Sequence, residues 1–146
     1  ELVMHIRATD YKENGAYLGD NFYKQFLIEH KDEYRKVSLI TDNIEAPLIR
    51  DLVKLGCVVK TPGPCMDWYI PRFNNNDLHD YNYMLHAKHL FISQSSFSWI
   101  PAFLGDHHEI IFPYKSSGKN MWPIDPKKDE PDLYFDFNNK SRKYIL

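Results

Sequence analysis

Apolar residues along this chain alternate between two rhythms. Short runs of three to six residues recur: Leu2 to Arg7, Val37 to Thr41, Cys57 to Lys60, Leu90 to Ser93 and Ile110 to Phe112. They are too short for helices and rich in Val, Ile, Leu and Phe, so they predict strands buried on both faces. Between them the apolar residues fall at helical spacing. Asp20 or Asn21 can cap a helix running to about Tyr34, with Phe22, Phe26 and Leu27 on its inner face. Ile44, Leu48, Leu52 and Leu55 share one face of a helix that Gly56 would end. Asn76 or Asp77 can cap a helix reaching about Lys88, and Phe97 to Leu104 reads as a short helix stopped by Gly105, with Pro101 in its first turn.

Strands alternating with helices predict an α/β fold: a doubly wound parallel sheet of the Rossmann-like kind. Two long polar stretches interrupt it. Residues 8–19 form a loop with Gly15 at its turn, and residues 61–76 form another that carries Pro62, Pro64, Pro71 and Asn74-Asn75-Asn76. From residue 115 to 146 Pro, Lys, Asp and Asn dominate, which predicts irregular chain with one short strand near 133–137.

The 146 residues suit a single domain. A net charge of −2 offers no electrostatic footprint for nucleic acid. No run has the length of a membrane-spanning helix, and the first residues read as a strand, not a signal peptide. A chain opening inside a strand without Met predicts a fragment of a larger protein. Cys57 and Cys65 cannot make a disulfide scaffold or a C-x-x-C zinc site, so reduced thiols are expected, with a bridge across the Pro-Gly-Pro loop as the alternative in a secretory compartment.

In parallel sheets ligands bind beyond the carboxyl ends of the strands, and the polar residues of interest fall there. Ser95-Ser96-Phe97-Ser98-Trp99 joins a strand to a helix, where free backbone N–H groups and the helix dipole suit an anion. His5 and Arg7 share one face of the first strand, and Arg7 offers a permanently charged fork for phosphate oxygens. Taken alone, Arg7 fits an ion pair with Asp10 or Asp42 better; opposite a hydroxyl-rich helix start the phosphate role gains weight. Asp42 and Asn43 end the second strand, where they can rim a pocket or simply cap the next helix. Asp77 opens a helix near the same edge. His79 and His86 lack metal-ligand spacing and read as surface residues, and His107-His108 reads as an exposed turn. Ser93, Ser95, Ser96 and Ser98 lack both a G-x-S-x-G elbow and an identifiable histidine partner, so a serine hydrolase is disfavoured. Trp68, in the long loop, is a better stacking candidate than Trp99, which reads as packing.

The order of these segments resembles glycosyltransferase family 11, the α-1,2-fucosyltransferases, and more broadly the fucosyltransferases of the GT-B fold. The resemblance rests on His5-Ile6-Arg7-Ala8-Thr9-Asp10-Tyr11, on Leu39-Ile40-Thr41-Asp42-Asn43-Ile44-Glu45, and on Asp77-Leu78, Met84, Lys88-His89, Ile92 and Ser95 to Trp99. Ile110-Ile111-Phe112-Pro113 completes it. It implies the nucleotide-binding half of a GT-B enzyme that moves L-fucose from GDP-fucose to a sugar hydroxyl, with inversion and without metal or other cofactor. The partners would be a nucleotide-sugar donor and a glycan acceptor, with an N-terminal acceptor domain elsewhere in the protein. The resemblance leaves the location open: cytoplasmic or membrane-associated in a bacterium, the Golgi lumen in a eukaryote. The donor pocket would comprise His5, Arg7, Asp42, Asp77, Ser95, Ser96 and Phe97. Arg7 would stabilise the leaving diphosphate, and Asp10 or Glu13 would take the acceptor's proton. The chain departs from the family where Ala8 replaces a second arginine, Thr9 a glycine and Ile100 a tryptophan. Those departures leave room for a non-catalytic binding module or a related transferase with another nucleotide-sugar.

Overall fold

The computed structural model describes residues 1–9, 17–60 and 75–113, with side chains in the last stretch from Asp77 onward, and the backbone of 141–145. Strands β1 (Leu2–Ile6), β2 (Val37–Thr41), β3 (Val58–Val59), β4 (His89–Phe91), β5 (Glu109–Pro113) and β6 (Ser141–Ile145) form one sheet in the order β3-β2-β1-β4-β5-β6. Every neighbouring pair is parallel. Helices α1 (Asp20–His30), α2 (Pro47–Lys54), α3 (Asn75–Leu85) and α4 (Ser96–Leu104) link the strands, and a single 3-10 turn, Lys31–Glu33, extends α1. The fold is therefore mixed α/β on an all-parallel sheet, as the alternation of runs predicted.

The core divides in two. Leu2, Met4 and Ile6 of β1 pack with Tyr23, Phe26 and Leu27 of α1 and Leu48, Ile49 and Leu52 of α2. Val3, the alternate residue, packs with Met84 of α3, Leu90 of β4 and Ala102 of α4. Successive side chains of a strand leave by opposite faces, so helices cover the sheet on both. Consecutive strands β1 to β3 step one way from the centre, and β4 to β6 step the other. The direction reverses between β1 and β4.

Local chemistry sets the helix limits, and several differ from the sequence expectation. Helix α2 starts at Pro47, not Ile44. A proline disfavours helical backbone in the residue before it, and Ala46 is extended, with φ −58° and ψ 135°. Ile44 is consequently outside the helix and exposed. The end of α2 behaves as expected. Gly56 has φ +98°, its N–H donates to Val53 O at 2.9 Å, and the Cys57 N–H donates to Leu52 O at 3.1 Å. That pair of bonds is the Schellman closure, which needs the left-handed residue glycine supplies. Helix α1 follows Gly19 and not a capping side chain of Asp20 or Asn21. Asp77 lies within α3, so neither it nor Asn76 is the cap. Helix α4 begins at Ser96, which puts Pro101 beyond the first turn. Its missing N–H leaves Phe97 O without the usual helical donor.

Two further expectations are corrected. Residues 141–145, read as irregular, pair along β5 from Glu109↔Ser141 to Pro113↔Ile145. The strand expected near 133–137 lies outside the described residues. His107 is buried, with Nδ1 2.5 Å from Ala87 O and Nε2 2.8 Å from Pro101 O. Only His108 of that dipeptide is exposed. Cys57 is a free, buried thiol, and burial pushes its pKa up to about 11.

Candidate functional site

The site is built outward from the ends of β1, β2 and β4. Beyond β1, residues 7–9 turn toward β2. The Ala8 N–H donates to Asp42 Oδ1 at 2.8 Å, and the Thr9 hydroxyl donates to Asp42 Oδ2 at 2.5 Å. Arg7 Nε lies 3.8 Å from the same Oδ2, with about a third of the Arg7 side chain exposed (34%). Asp42 is thus the clasp that shapes the end of β1, and it is not the cap of α2. Asn43 instead makes a local turn, its Oδ1 accepting from the Glu45 N–H at 3.1 Å.

Beyond β4 the chain runs through Ser93, Gln94 and Ser95 into α4, and all three are buried. Ser95 is the N-cap, with φ −128° and ψ 138°, and its Oγ accepts from the Phe97 N–H at 3.3 Å. The Ser98 hydroxyl turns inward, 3.2 Å from both Ser93 O and Ser95 O. Ser93 Oγ lies 3.3 Å from Ser98 Oγ and 2.8 Å from His5 Nδ1. The two strand ends are therefore joined across 88 residues of sequence by a buried polar contact. The His5 ring also lies 5.6 Å from that of Phe97, and Tyr81 of α3 approaches Phe97 edge-on at 6.3 Å. Burial drives the pKa of His5 down to about 4. Asp42 opposes that shift and Arg7 adds to it. At neutral pH the imidazole is uncharged.

Arg7 follows His5 by two residues, and Ser96 follows Ser93 by three. The His5–Ser93 contact consequently brings a guanidinium-bearing turn and a helix N-terminus to neighbouring strand ends. A fixed positive charge, backbone N–H groups and a helix dipole there can stabilise an anion. Asp77 is exposed on the first turn of α3. Asp80 on the same helix is half buried, and its burial raises its pKa against the opposing effect of His79, 3.5 Å away. Asp10, Glu13, Cys65 and Trp68 lie outside the described residues. Trp99 packs against the α3–α4 core and stacks on Phe103 at 5.3 Å. No group of three or more His, Cys, Asp or Glu side chains among the described residues could hold a metal. None of the described helices is long and apolar enough to cross a membrane.

The sequence reading placed His5, Arg7, Asp42, Ser95, Ser96 and Phe97 at one edge, and the three strand ends carry them there. It set Ser93 and Ser98 aside as nucleophiles for want of a positioned histidine and gave their hydroxyls to a phosphate or sugar; in the structure Ser93 meets His5, and Ser98 meets the carbonyls of Ser93 and Ser95. Their signal was hydroxyls embedded in an apolar run, where each demands a buried partner. A cavity of about 270 Å³ lies at the opposite end of the strands, lined by Glu1, Val3, Asn82, Tyr83, His86, Ala87 and Lys88. Glu1 and Tyr83 already satisfy one another there, at 2.7 Å. Comparison with family models, with curated proteins and with solved structures found no match to this chain.

Proposed function

We propose that this chain is the nucleotide-sugar-binding domain of an inverting, metal-independent glycosyltransferase, a doubly wound, Rossmann-like half of a GT-B fold. Its reaction would transfer L-fucose from GDP-fucose to a sugar hydroxyl. One observation carries the reading: Arg7 and the N-terminus of α4 follow directly from two strands that the buried His5–Ser93 contact joins at 2.8 Å. That is where the strand order reverses, the usual place for a ligand on a parallel sheet.

In the reaction the acceptor oxygen forms a bond to the anomeric carbon as the bond to the β-phosphate oxygen breaks. The electron pair leaves with GDP, and a carboxylate takes the acceptor's proton. Charge grows on the diphosphate, and Arg7 with the Ser96 N–H would meet it there, the Phe97 N–H being shared with Ser95 Oγ. Asp42 would hold the turn that carries Arg7, and Asp10 or Glu13 would be the base. Asp77 would border the donor pocket.

A specific observation favours a second reading, in which the domain binds a nucleotide-sugar without turning it over or uses another donor. Ala8 stands where the family has a second arginine, and its side chain is only 4% exposed, in the core with Leu2, Met4 and Ile6. An arginine in its place would enter that core.

Calorimetry with GDP tests the shared part of both readings. Wild type should bind, and Arg7→Ala should lose about tenfold to a hundredfold in affinity, as for loss of a charge-assisted contact. Equal binding by the two proteins would remove Arg7 from the site. Transfer of labelled fucose by the whole protein then separates enzyme from binding module.

A further inference from the structure

We propose that His5 is a positioning residue for the anion site: its Nδ1–H starts a one-way hydrogen-bond chain through Ser93 and Ser98 that fixes the first turn of α4 against the end of β1. This deepens the nucleotide-sugar reading, and only its ligand-binding arm rests on that reading.

The direction of the chain follows from counting protons. A serine hydroxyl has one to donate. Ser98 Oγ lies 3.2 Å from two carbonyls, Ser93 O and Ser95 O, which can only accept. With its proton on one of these closer carbonyls, Ser98 accepts from Ser93 Oγ, 3.3 Å away. Ser93 then spends its proton on Ser98 and must accept from His5 Nδ1 at 2.8 Å. The assignment that gives Ser98 a carbonyl and keeps both contacts of Ser93 puts the proton on Nδ1 and the lone pair on Nε2. The reverse tautomer would cost Ser93 one of its two contacts or turn the Ser98 proton away from both carbonyls.

The links are buried: His5 is 3% exposed, Ser93 2% and Ser98 0%. A buried polar chain either has all its bonds or is costly, so it locks the geometry it spans. What it spans is the register between β1, which leads into Arg7, and the turn whose N–H groups face the proposed diphosphate. His5 thus acts through Ser93 and Ser98 and need not touch the ligand itself. The depressed basicity of the imidazole agrees with an uncharged ring throughout the physiological range.

The experiment combines nitrogen-15 NMR of the imidazole and backbone with GDP calorimetry on wild type, His5→Asn, His5→Leu, Ser93→Ala and Ser98→Ala. The wild-type ring should show Nδ1 protonated and Nε2 unprotonated. In His5→Leu and Ser93→Ala the Phe97, Ser98 and Trp99 amides should exchange faster while those of α2 stay unchanged. GDP affinity should fall about tenfold in these two, as for one buried hydrogen bond. Asn places a donor near the former Nδ1, so His5→Asn should recover most of both signals. If His5→Leu does not fold, the serine variants carry the same readouts. A ring protonated at Nε2, or unchanged exchange in Ser93→Ala and Ser98→Ala, overturns the proposal. Absence of GDP binding in wild type would sink the nucleotide reading instead, and the tautomer and exchange data would still decide the role of His5.

Discussion

At the amino ends of the strands, Glu1 accepts from Ser38 at 2.6 Å and from Tyr83 at 2.7 Å, with Lys36 3.4 Å away. Beside it, Glu109 accepts from Tyr34 at 2.7 Å and lies 3.1 Å from His89 Nδ1. At the carboxyl ends stand His5, Ser93, Ser95 and Ser98, all buried, with Arg7 and Asp42 at their rim. Both ends are rich in polar side chains. The amino end holds acids that face their own donors and bases in partly exposed pairs. The carboxyl end holds uncharged groups that order a helix N-terminus. Polar density alone therefore does not mark a binding site. What favours the carboxyl end as the proposed site is buried polar structure that supports backbone N–H groups and a guanidinium on neighbouring strand ends.

The largest effect should come from testing the position between these plans. Ala8 is packed in the α1–α2 core, so Ala8→Arg would bury a charge among apolar side chains. We expect a loss of about 3 kcal/mol or more in thermal or urea unfolding. We also expect no gain in GDP affinity. Tighter GDP binding without destabilisation would show that a second arginine can reach the site from here, and would dissolve the distinction between core and rim at the end of β1.

Acid should separate the two ends next. His5 has its folded pKa lowered from 6.5 to about 4 by burial, so the unfolded chain binds the proton more readily. Stability from this group is complete above pH 6.5 and declines as pH falls toward 4, by roughly 3 kcal/mol in total. Burial alone would raise the pKa of Glu1, but the hydrogen bonds from Ser38, Tyr83 and Lys36 together lower it to about 2. Its contribution is present above 4.5 and lost as pH falls toward 2. The carboxyl end should thus weaken first. Unfolding free energies measured across this range in wild type and His5→Asn should diverge between pH 6.5 and 4. Parallel curves there would contradict a buried neutral imidazole.

How far the chain could be read follows the same divide between local and long-range causes. Strands β1, β2 and β5 and helix α1 were legible because apolar period and turn residues agree over each segment. The start of α2 was misread because Ile44 fits the helical period, whereas Pro47 decides the boundary through the backbone of Ala46. Strand β6 was missed because Ser141-Arg142-Lys143-Tyr144-Ile145 has no apolar run, and its pairing to β5 is a tertiary fact. The polar neighbours of His107 predict exposure, whereas the carbonyls of Ala87 and Pro101 that enclose it come from other segments. At the site, Arg7 and the Ser95 cap could be seen in sequence. The His5–Ser93 link could not, because no local pattern ties residues 88 positions apart.

A smaller effect should come from the cap itself. Ser95 Oγ accepts the Phe97 N–H, so Ser95→Ala removes one N-terminal bond of α4. We expect about 1 kcal/mol of destabilisation. GDP affinity should fall alongside, since the cap fixes the turn whose Ser96 N–H is proposed to meet the diphosphate. A stability loss with unchanged GDP binding would confine Ser95 to a structural role.

The smallest expected effect comes from the amino end and acts as the control for all the others. The Tyr34 hydroxyl donates to Glu109, and burial first, then that carboxylate, holds the phenol well above its ordinary pKa. Tyr34→Phe removes the hydroxyl and keeps the ring, which lies 5.4 Å from the His89 imidazole. Glu109 retains His89 as a partner at 3.1 Å, and its side chain is still 19% exposed to water. The carboxylate is therefore not left uncompensated, and the cost should be about 1 kcal/mol or less. Because the pair sits across the sheet from Arg7 and Ser95, GDP affinity should not change. Chemical denaturation and calorimetry on the same sample check both halves of this expectation. A GDP defect in Tyr34→Phe would mean that the two ends are coupled through β4 and β5, and the contrast between a structural end and a binding end would have to be abandoned.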